Sequence, residues 1–402
     1  MGNPTTIEDV EVITTQPAQA RFVVVKVVTS EPGLYGLGCA TFTQRFHAVV
    51  AAVEKHLKPF LIGRDVDRIE EIWQMGMVNG YWRNGPVLNN ALSGVDQALW
   101  DIKGKRAGMP LYQLLGGKCR EAAACYAHAG GGTVEEVFDS VQILMNEGYR
   151  YLRIQMGGYG GSDATDKLRP EGAPDGNYYD PGSYRRKHLE LFDRLREEFG
   201  YEIELLHDIH ERLRPIEAVG FAKDVECFRL FFLEDPLAPE DIDWFQRIRE
   251  QCVTPIAMGE LFNHPLEWKP LIEKRLIDFI RMHVSQMGGL TPARNVASFA
   301  NLHGIRTAWH GPGDTSPVGH AAQLHLDLWA PNFGIQEWCG FNDLVYEMFP
   351  GLPEVRNGYM YSNNQPGIGI DINERLASRY PCRDAVEEWT QTRLPDGSPV
   401  RP

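Results

Sequence analysis

Three carboxylates recur at equal spacing in this chain. Asp208 ends the apolar run IELLHD, Glu234 ends LFFLE and Glu260 ends PIAMGE, each 26 residues after the last. One strand, one helix and two short loops fill about that length in a repeated β/α unit. Three successive parallel strands would then each deliver one acid to the same end of a sheet. Such strands are buried on both faces, so a carboxylate at the end of one is paired or binds a cation. Three together make an all-oxygen site suited to a hard divalent ion, Mg²⁺ above all.

The elements that must position these acids are readable as well. Residues 7–40 alternate in the β manner, with RFVVVKVVTS a strong strand, and helical patterns occupy about 46–106. The last of them, VLNNALSGVDQALWDIKGKRAG, stops at Gly108-Met109-Pro110. After Arg120 the rhythm becomes strand and helix in alternation. Eight strand patterns and seven intervening helical ones predict a TIM-type barrel of the (β/α)7β kind, with its site at the strand C-terminal ends. The expected fold is therefore α/β: an N-terminal α+β capping domain (1–120), a modified TIM barrel (121–340) and a C-terminal segment (341–402) returning to the cap. The polar residues at the predicted strand ends are His128, Arg153, Asp208, His210, Glu234, Glu260, Arg281, His310 and Glu337. Residues 157–182 form a long Gly/Pro/Asp-rich stretch after the second barrel strand, of the kind used as a lid or binding loop.

Composition narrows the function classes. The chain has 402 residues, 43% hydrophobic and 23% charged, as expected of a soluble globular protein. A formal charge of −14 argues against nucleic acid or an anionic membrane as partner, though a local cluster of cations could still receive an anionic small substrate. The seven cysteines form no CxxC pair, and most sit in apolar surroundings that suggest reduced, buried thiols. The N-terminus lacks the basic and apolar regions of a signal peptide, and no run reaches the ~18 apolar residues of a membrane span, so a cytoplasmic protein is expected. A homo-oligomer is expected too.

The ALWDIKGKRAGMPLYQLLGG connector, the HDIH, LEDP and GE strand ends and the HGPGDTSP segment together resemble the enolase superfamily, and within it the mannonate dehydratase group, also called the galactonate dehydratase family. The resemblance spans essentially the whole chain. It implies Mg²⁺-dependent dehydration of a sugar acid, D-mannonate or D-gluconate, to 2-keto-3-deoxy-gluconate. The proton to be removed is a weak acid beside a carboxylate, so a divalent ion must stabilise the enediolate while a base and an acid act at C2 and C3. Three carboxylates and one Mg²⁺ leave a negative site, so Arg153 and Arg281 are expected close by as fixed cations.

The resemblance also implies roles. Asp208, Glu234 and Glu260 would hold the metal. His210, two residues past Asp208 and pointing the same way by strand alternation, would be the acid, or else a packed histidine. Arg153 would pair with a loop tyrosine acting as base, with Tyr159 the nearest candidate and Tyr178 or Tyr179 the alternatives. His128, Arg281, His310, Asp314 and Glu337 would bind substrate. Asp235 reads as a helix-start residue, and Gly311 as room for a ligand beside His310. Strand six offers Arg281-Met282-His283 where many superfamily members carry an Asp paired to this histidine, which counts against a racemase. The family's cap asparagine is replaced by Thr43-Gln44. Pro312 stands where efficient mannonate dehydratases carry alanine; proline accompanies slow, gluconate-preferring or inactive members. The competing readings are a same-fold enzyme for another acid and a non-catalytic regulatory protein.

Overall fold

The computed structural model describes residues 4–158 and 169–402. Three antiparallel strands, β1 (Ile7–Thr15), β2 (Phe22–Thr29) and β3 (Tyr35–Cys39), form the N-terminal sheet. β2 is the centre of that sheet, and its Val23, Val24, Val25 and Val27 are fully buried. The 22-residue helix Pro86–Ala107 lies against it. Contact there is backbone to backbone: a Cβ on Gly36 or Gly38 would meet the carbonyl of Ala98 or Gly94 at 2.0 Å.

The barrel strands follow in chain order. They are β4 (Ala123–Gly131), β5 (Tyr151–Met156), β6 (Glu204–Asp208), β7 (Phe232–Glu234), β8 (Ile256–Met258), β9 (Phe279–Ile280), β10 (Arg306–Thr307) and β11 (Gln336–Glu337). Neighbours in sequence are parallel neighbours in space from β4 to β10. β11 pairs with β4, and a bridge from Phe333 to Thr307 on β10 completes the ring. Every strand segment expected from the apolar runs is present, though most are shorter than the runs. β4 and β5 are the exceptions: they continue past His128 and Arg153, which face each other in register. The lower barrel interior is filled by Tyr126, Leu206, Phe232, Ala257, Phe279, Ala308 and Ile335. This is a layered, dry plug below a polar end.

From Phe341 the chain returns to the N-terminal sheet. Tyr35 donates to Asp371, Lys26 pairs with Glu374 at 2.6 Å, and Arg21 with Glu387 at 2.9 Å. After Glu387 it leaves that sheet and crosses to the barrel mouth. A hairpin, β12 (Glu354–Arg356) and β13 (Tyr359–Tyr361), adds antiparallel to the start of β4, at Ala123 and Ala124. All seven cysteines are free, but burial was overestimated. Only Cys39, Cys125 and Cys252 are buried, whereas Cys119, Cys227 and Cys339 are exposed. Among the described residues, no helix is long and apolar enough to cross a membrane.

One glycine fixes the approach of Glu260 to the barrel mouth. Gly259 has φ +137°, and a Cβ there would lie 3.0 Å from Phe262 Cδ2 and 3.2 Å from Met282 Cγ. Gly259→Ala is expected to lower stability by about 1–3 kcal/mol through forced backbone strain. Urea unfolding of the two proteins side by side checks this; an unchanged midpoint would show that the turn relaxes freely.

Candidate active site

Asp208 and Glu234 are the last residues of β6 and β7 and sit opposite one another in register. Both are fully buried, and Glu260, two residues past β8, is 9% exposed. Between them stand the two arginines. Arg153 Nη1 lies 3.2 Å from Asp208 Oδ2 and 3.2 Å from Glu234 Oε1. Arg281, without solvent exposure, reaches Glu260 at 2.5 Å, Glu337 at 2.6 Å, Glu234 at 2.8 Å and Asp235 at 3.2 Å. Tyr126 links the layers, accepting from Arg281 Nε (3.1 Å) and donating to Glu234 (3.2 Å).

Charge counting shows what this cluster lacks. Among the described residues, Asp208, Glu234, Asp235, Glu260 and Glu337 meet the guanidiniums of Arg153 and Arg281, leaving three negative charges in excess of these two if all five are ionised. Burial, reinforced by Glu234, pushes the Asp208 carboxyl well above the usual range, and burial also raises Glu234. A divalent cation would relieve both. The donors are all carboxylate oxygens, and one oxygen each from Glu234, Asp235 and Glu260 lie within 4.8 Å of one another. This set fits a hard ion, and it holds Asp235 where Asp208 was expected; Asp208 stands beside it, joined to Glu234 through Arg153. A second cluster, His128, Glu337 and Cys339, is equally compact, but both ring nitrogens of His128 are engaged, Nδ1 by Arg153 and Nε2 by Glu337, so it offers no lone pair to a cation.

Asp235 is the residue whose role was misread. It does not start a helix: its φ is +38°, and the next helical turn begins at Pro239. Its buried carboxylate accepts from Gly259 N at 2.9 Å and from Arg281, so it fixes the Glu260 turn and the central guanidinium together. Asp-Pro is a common turn signal, and only its position beside Glu234 could have flagged it. Gly311 was also misread. Its N–H donates to Glu337 (2.9 Å), and a Cβ there would strike Gln336 Nε2 at 2.6 Å, so the close approach is to strand β11.

The histidines surround Glu260. His210 Nε2 and His310 Nε2 each lie 3.4 Å from its carboxylate. His210 does not arrive by strand alternation. β6 has ended, and His210 and Glu211 adopt φ +54° and +52°, a left-handed turn fixed by His210 N donating to Asp208 Oδ1 at 2.6 Å. Burial pushes His210 down to about 4 and His310 to about 3. His128 accepts at Nδ1 from Arg153 (3.0 Å), since a guanidinium can only donate, so its Nε2 carries the proton given to Glu337 at 2.8 Å. Asp314 is near the site with a raised pKa of about 7 from burial, and its Oδ1 has no hydrogen-bond partner among the described residues. The Tyr159 expectation lies outside the described residues. Tyr178 donates to Pro174 O at 2.5 Å, and Tyr179 is buried beneath Arg212. Trp82 is 81% exposed.

Comparison with known proteins agrees with this geometry. The family described as "Enolase C-terminal domain-like" matches residues 136–376, and "Mandelate racemase / muconate lactonizing enzyme, N-terminal domain" matches residues 3–116. A D-galactonate dehydratase family member of Salmonella enteritidis PT4 is 54% identical over 98% of each chain. The D-galactonate dehydratase family member RspA of Pantoea ananatis is 54% identical, covering 98% of this chain and 99% of its own. A crystal structure of an enolase from Pantoea ananatis with bound D-gluconate and Mg superposes with a TM-score of 0.97 at 54% identity, covering 99% of this chain and 100% of that one.

Arg281 is the charge on which the cluster balances. Arg281→Met is expected to destabilise the protein by roughly 3–5 kcal/mol, because it leaves buried carboxylates uncompensated. A divalent cation should restore part of that loss. Chemical denaturation with and without the ion measures both effects, and wild-type stability in the variant would show that the carboxylates are already neutral.

Proposed function

This chain belongs to the D-galactonate dehydratase family of the enolase superfamily, and we propose from that premise that it is a slow Mg²⁺-dependent acid-sugar dehydratase. The substrate we assign is D-gluconate or D-mannonate, converted to 2-keto-3-deoxy-gluconate and water. The observation that carries the reading is the meeting of Asp208, Glu234 and Glu260 with two buried arginines and the Nε2 atoms of His210 and His310. The relative holding D-gluconate and Mg supports both the substrate class and the ion.

Asp208, Glu234 and Glu260 would hold Mg²⁺. The bound ion supplies positive charge to the substrate carboxylate, lowering the cost of removing the C2 proton. Arg281, His128 and Glu337 form a rigid hydrogen-bonded wall against which the polyol can be oriented. Asp314, with an unsatisfied oxygen, is suited to a substrate hydroxyl. Arg153 is held by Asp208, Glu234 and His128 and adds fixed positive charge to the site. We assign the base to Tyr159. Tyr178 is committed to Pro174, and burial drives the Tyr179 hydroxyl so far up that its phenolate is disfavoured. His210, once protonated from solvent at Nε2, then gives that proton to the departing 3-hydroxyl, which leaves as water. Burial keeps His210 neutral in this structure, so the negative charge of Glu260 and of the bound acid must raise its proton affinity before it can act.

Pro312 supports the word slow. Its carbonyl accepts from Thr315 N at 3.0 Å, and His320 Nε2 lies 3.3 Å away, so the loop after His310 is pinned. Proline also offers no N–H. The same feature favours a second reading, a member that binds an acid sugar without turning it over.

Three measurements follow. Glu234→Gln should abolish specific Mg²⁺ binding by titration calorimetry, and wild-type binding should release protons to the extent that burial keeps Asp208 protonated in the free protein; undiminished affinity in the variant refutes the ligand assignment. His210→Asn should stop dehydration while C2 proton exchange with solvent persists, so exchange without product is the diagnostic result. Pro312→Ala should raise turnover of mannonate by up to about 100-fold if placement of the reacting carbon is limiting. An ordinary wild-type rate on mannonate would rule out the proline argument.

A further inference from the structure

The chain after Glu387 has no part in the N-terminal sheet or the barrel ring, yet it ends up beside His210. A short 3-10 turn, Glu388–Gln391, carries Trp389, whose ring meets the His210 ring edge-on at 5.7 Å and 71°. Residues 392–400 then fold into a small hairpin, with Val400 N donating to Thr392 O at 3.1 Å and Leu394 N to Ser398 O at 2.8 Å. One side of this hairpin is pinned to the segment preceding helix Pro181–Phe199: Tyr179 N donates to Arg393 O at 2.7 Å and Arg393 N to Asn177 O at 2.9 Å. The other side is pinned beyond β7, where Arg401 Nη1 meets Asp241 Oδ2 at 2.7 Å. Between these anchors, Pro402 O lies 2.7 Å from His210 Nδ1.

We infer that residues 389–402 are a strap that positions His210, holding its ring so that Nε2 and not Nδ1 faces Glu260 and the substrate. The main-chain oxygen of Pro402 accepts, so Nδ1 carries the hydrogen and Nε2 is the nitrogen that faces Glu260 and can exchange a proton. Such a partner on the far ring nitrogen sets both tautomer and orientation. His210 needs it because it sits on a left-handed turn past the end of β6, with no strand to fix its direction. Trp389 limits rotation about the ring from the side. Asp241 and Arg401 are outside the binding and proton-transfer machinery, and restoring the pair in reverse separates their hold on the strap from the field of Arg401 at Glu211.

The inference rests on the dehydratase reading for its kinetic consequence, but its structural half can be measured without turnover. Arg401→Asp sets like charges against each other at Asp241, and Arg401→Asp with Asp241→Arg restores the pair in reverse. In full-length protein, Arg401→Asp should cut kcat for gluconate or mannonate about tenfold with KM and Mg²⁺ affinity unchanged. C2 proton exchange should be retained. Carbethoxylation of His210, followed by peptide mass spectrometry without substrate, should speed up about tenfold as the ring is released. The double variant should return both readouts to wild type. Unchanged modification in Arg401→Asp, or a loss that the charge swap does not rescue, overturns the strap. A wild type that turns over no acid sugar overturns the dehydratase reading instead, and the modification rates alone then decide the strap.

Discussion

Everything at the barrel mouth depends on one solvent-free guanidinium. Arg281 touches Glu234 from β7, Asp235 just past it, Glu260 past β8 and Glu337 on β11, and so ties together ends of the ring that are far apart in sequence. Burying that many charges costs several kcal/mol per ion, and well-packed apolar residues would be at least as stable. The cluster is therefore hard to explain as a device for stability. It is better explained as a site whose charge is deliberately incomplete. Two guanidiniums hold the carboxylates apart and in place, while leaving enough negative charge to attract a divalent ion.

The turns above the ring work to the same end. His210, Glu211 and Asp235 all take positive φ, a conformation that costs non-glycine residues about 1–3 kcal/mol each. These three follow directly on the strand ends carrying Asp208 and Glu234. Stopping a strand abruptly, and turning the next residues back over it, brings side chains inward that pleated alternation would send elsewhere. His210 thus depends on groups outside its own strand for orientation. Asp208 fixes its backbone, and the main-chain oxygen of Pro402 fixes its ring.

What could be read from the sequence divides along the range of the interactions. The barrel was legible because each parallel strand is an apolar run and each run ends in a polar residue, a local signal repeated at a fixed interval. Asp208, Glu234 and Glu260 were legible for the same reason. Asp235 was not, because Asp-Pro has a local meaning, and its pairing with Gly259 and Arg281 is set by the closure of the ring. Gly311 was read as room for a ligand because nothing local says that Gln336 and Glu337 lie against it. Residues 389–402 carried no periodicity at all. Their hairpin is held by backbone bonds to residues 177–179 and by one ion pair, neither of which leaves a pattern in the sequence.

The same division explains why family membership fixes the chemistry more firmly than the substrate. Ligating a cation needs carboxylates at strand ends, and the barrel places those to within its own rigidity. Choosing between two hydroxy acids that differ at one carbon needs the loop after His310 to be placed to a fraction of an ångström. That loop is held by Thr315 N and by His320, both against the carbonyl of Pro312, while Gln323 donates to the carbonyl of His310 at 2.7 Å. None of these contacts carries net charge into the site. A substitution at Pro312 therefore leaves the electrostatics of the carboxylate cluster intact and changes only the shape of the loop after His310. The carboxylate cluster and the shape of the loop beside it are thus set by separate interactions, one by closure of the ring and the other by a backbone detail.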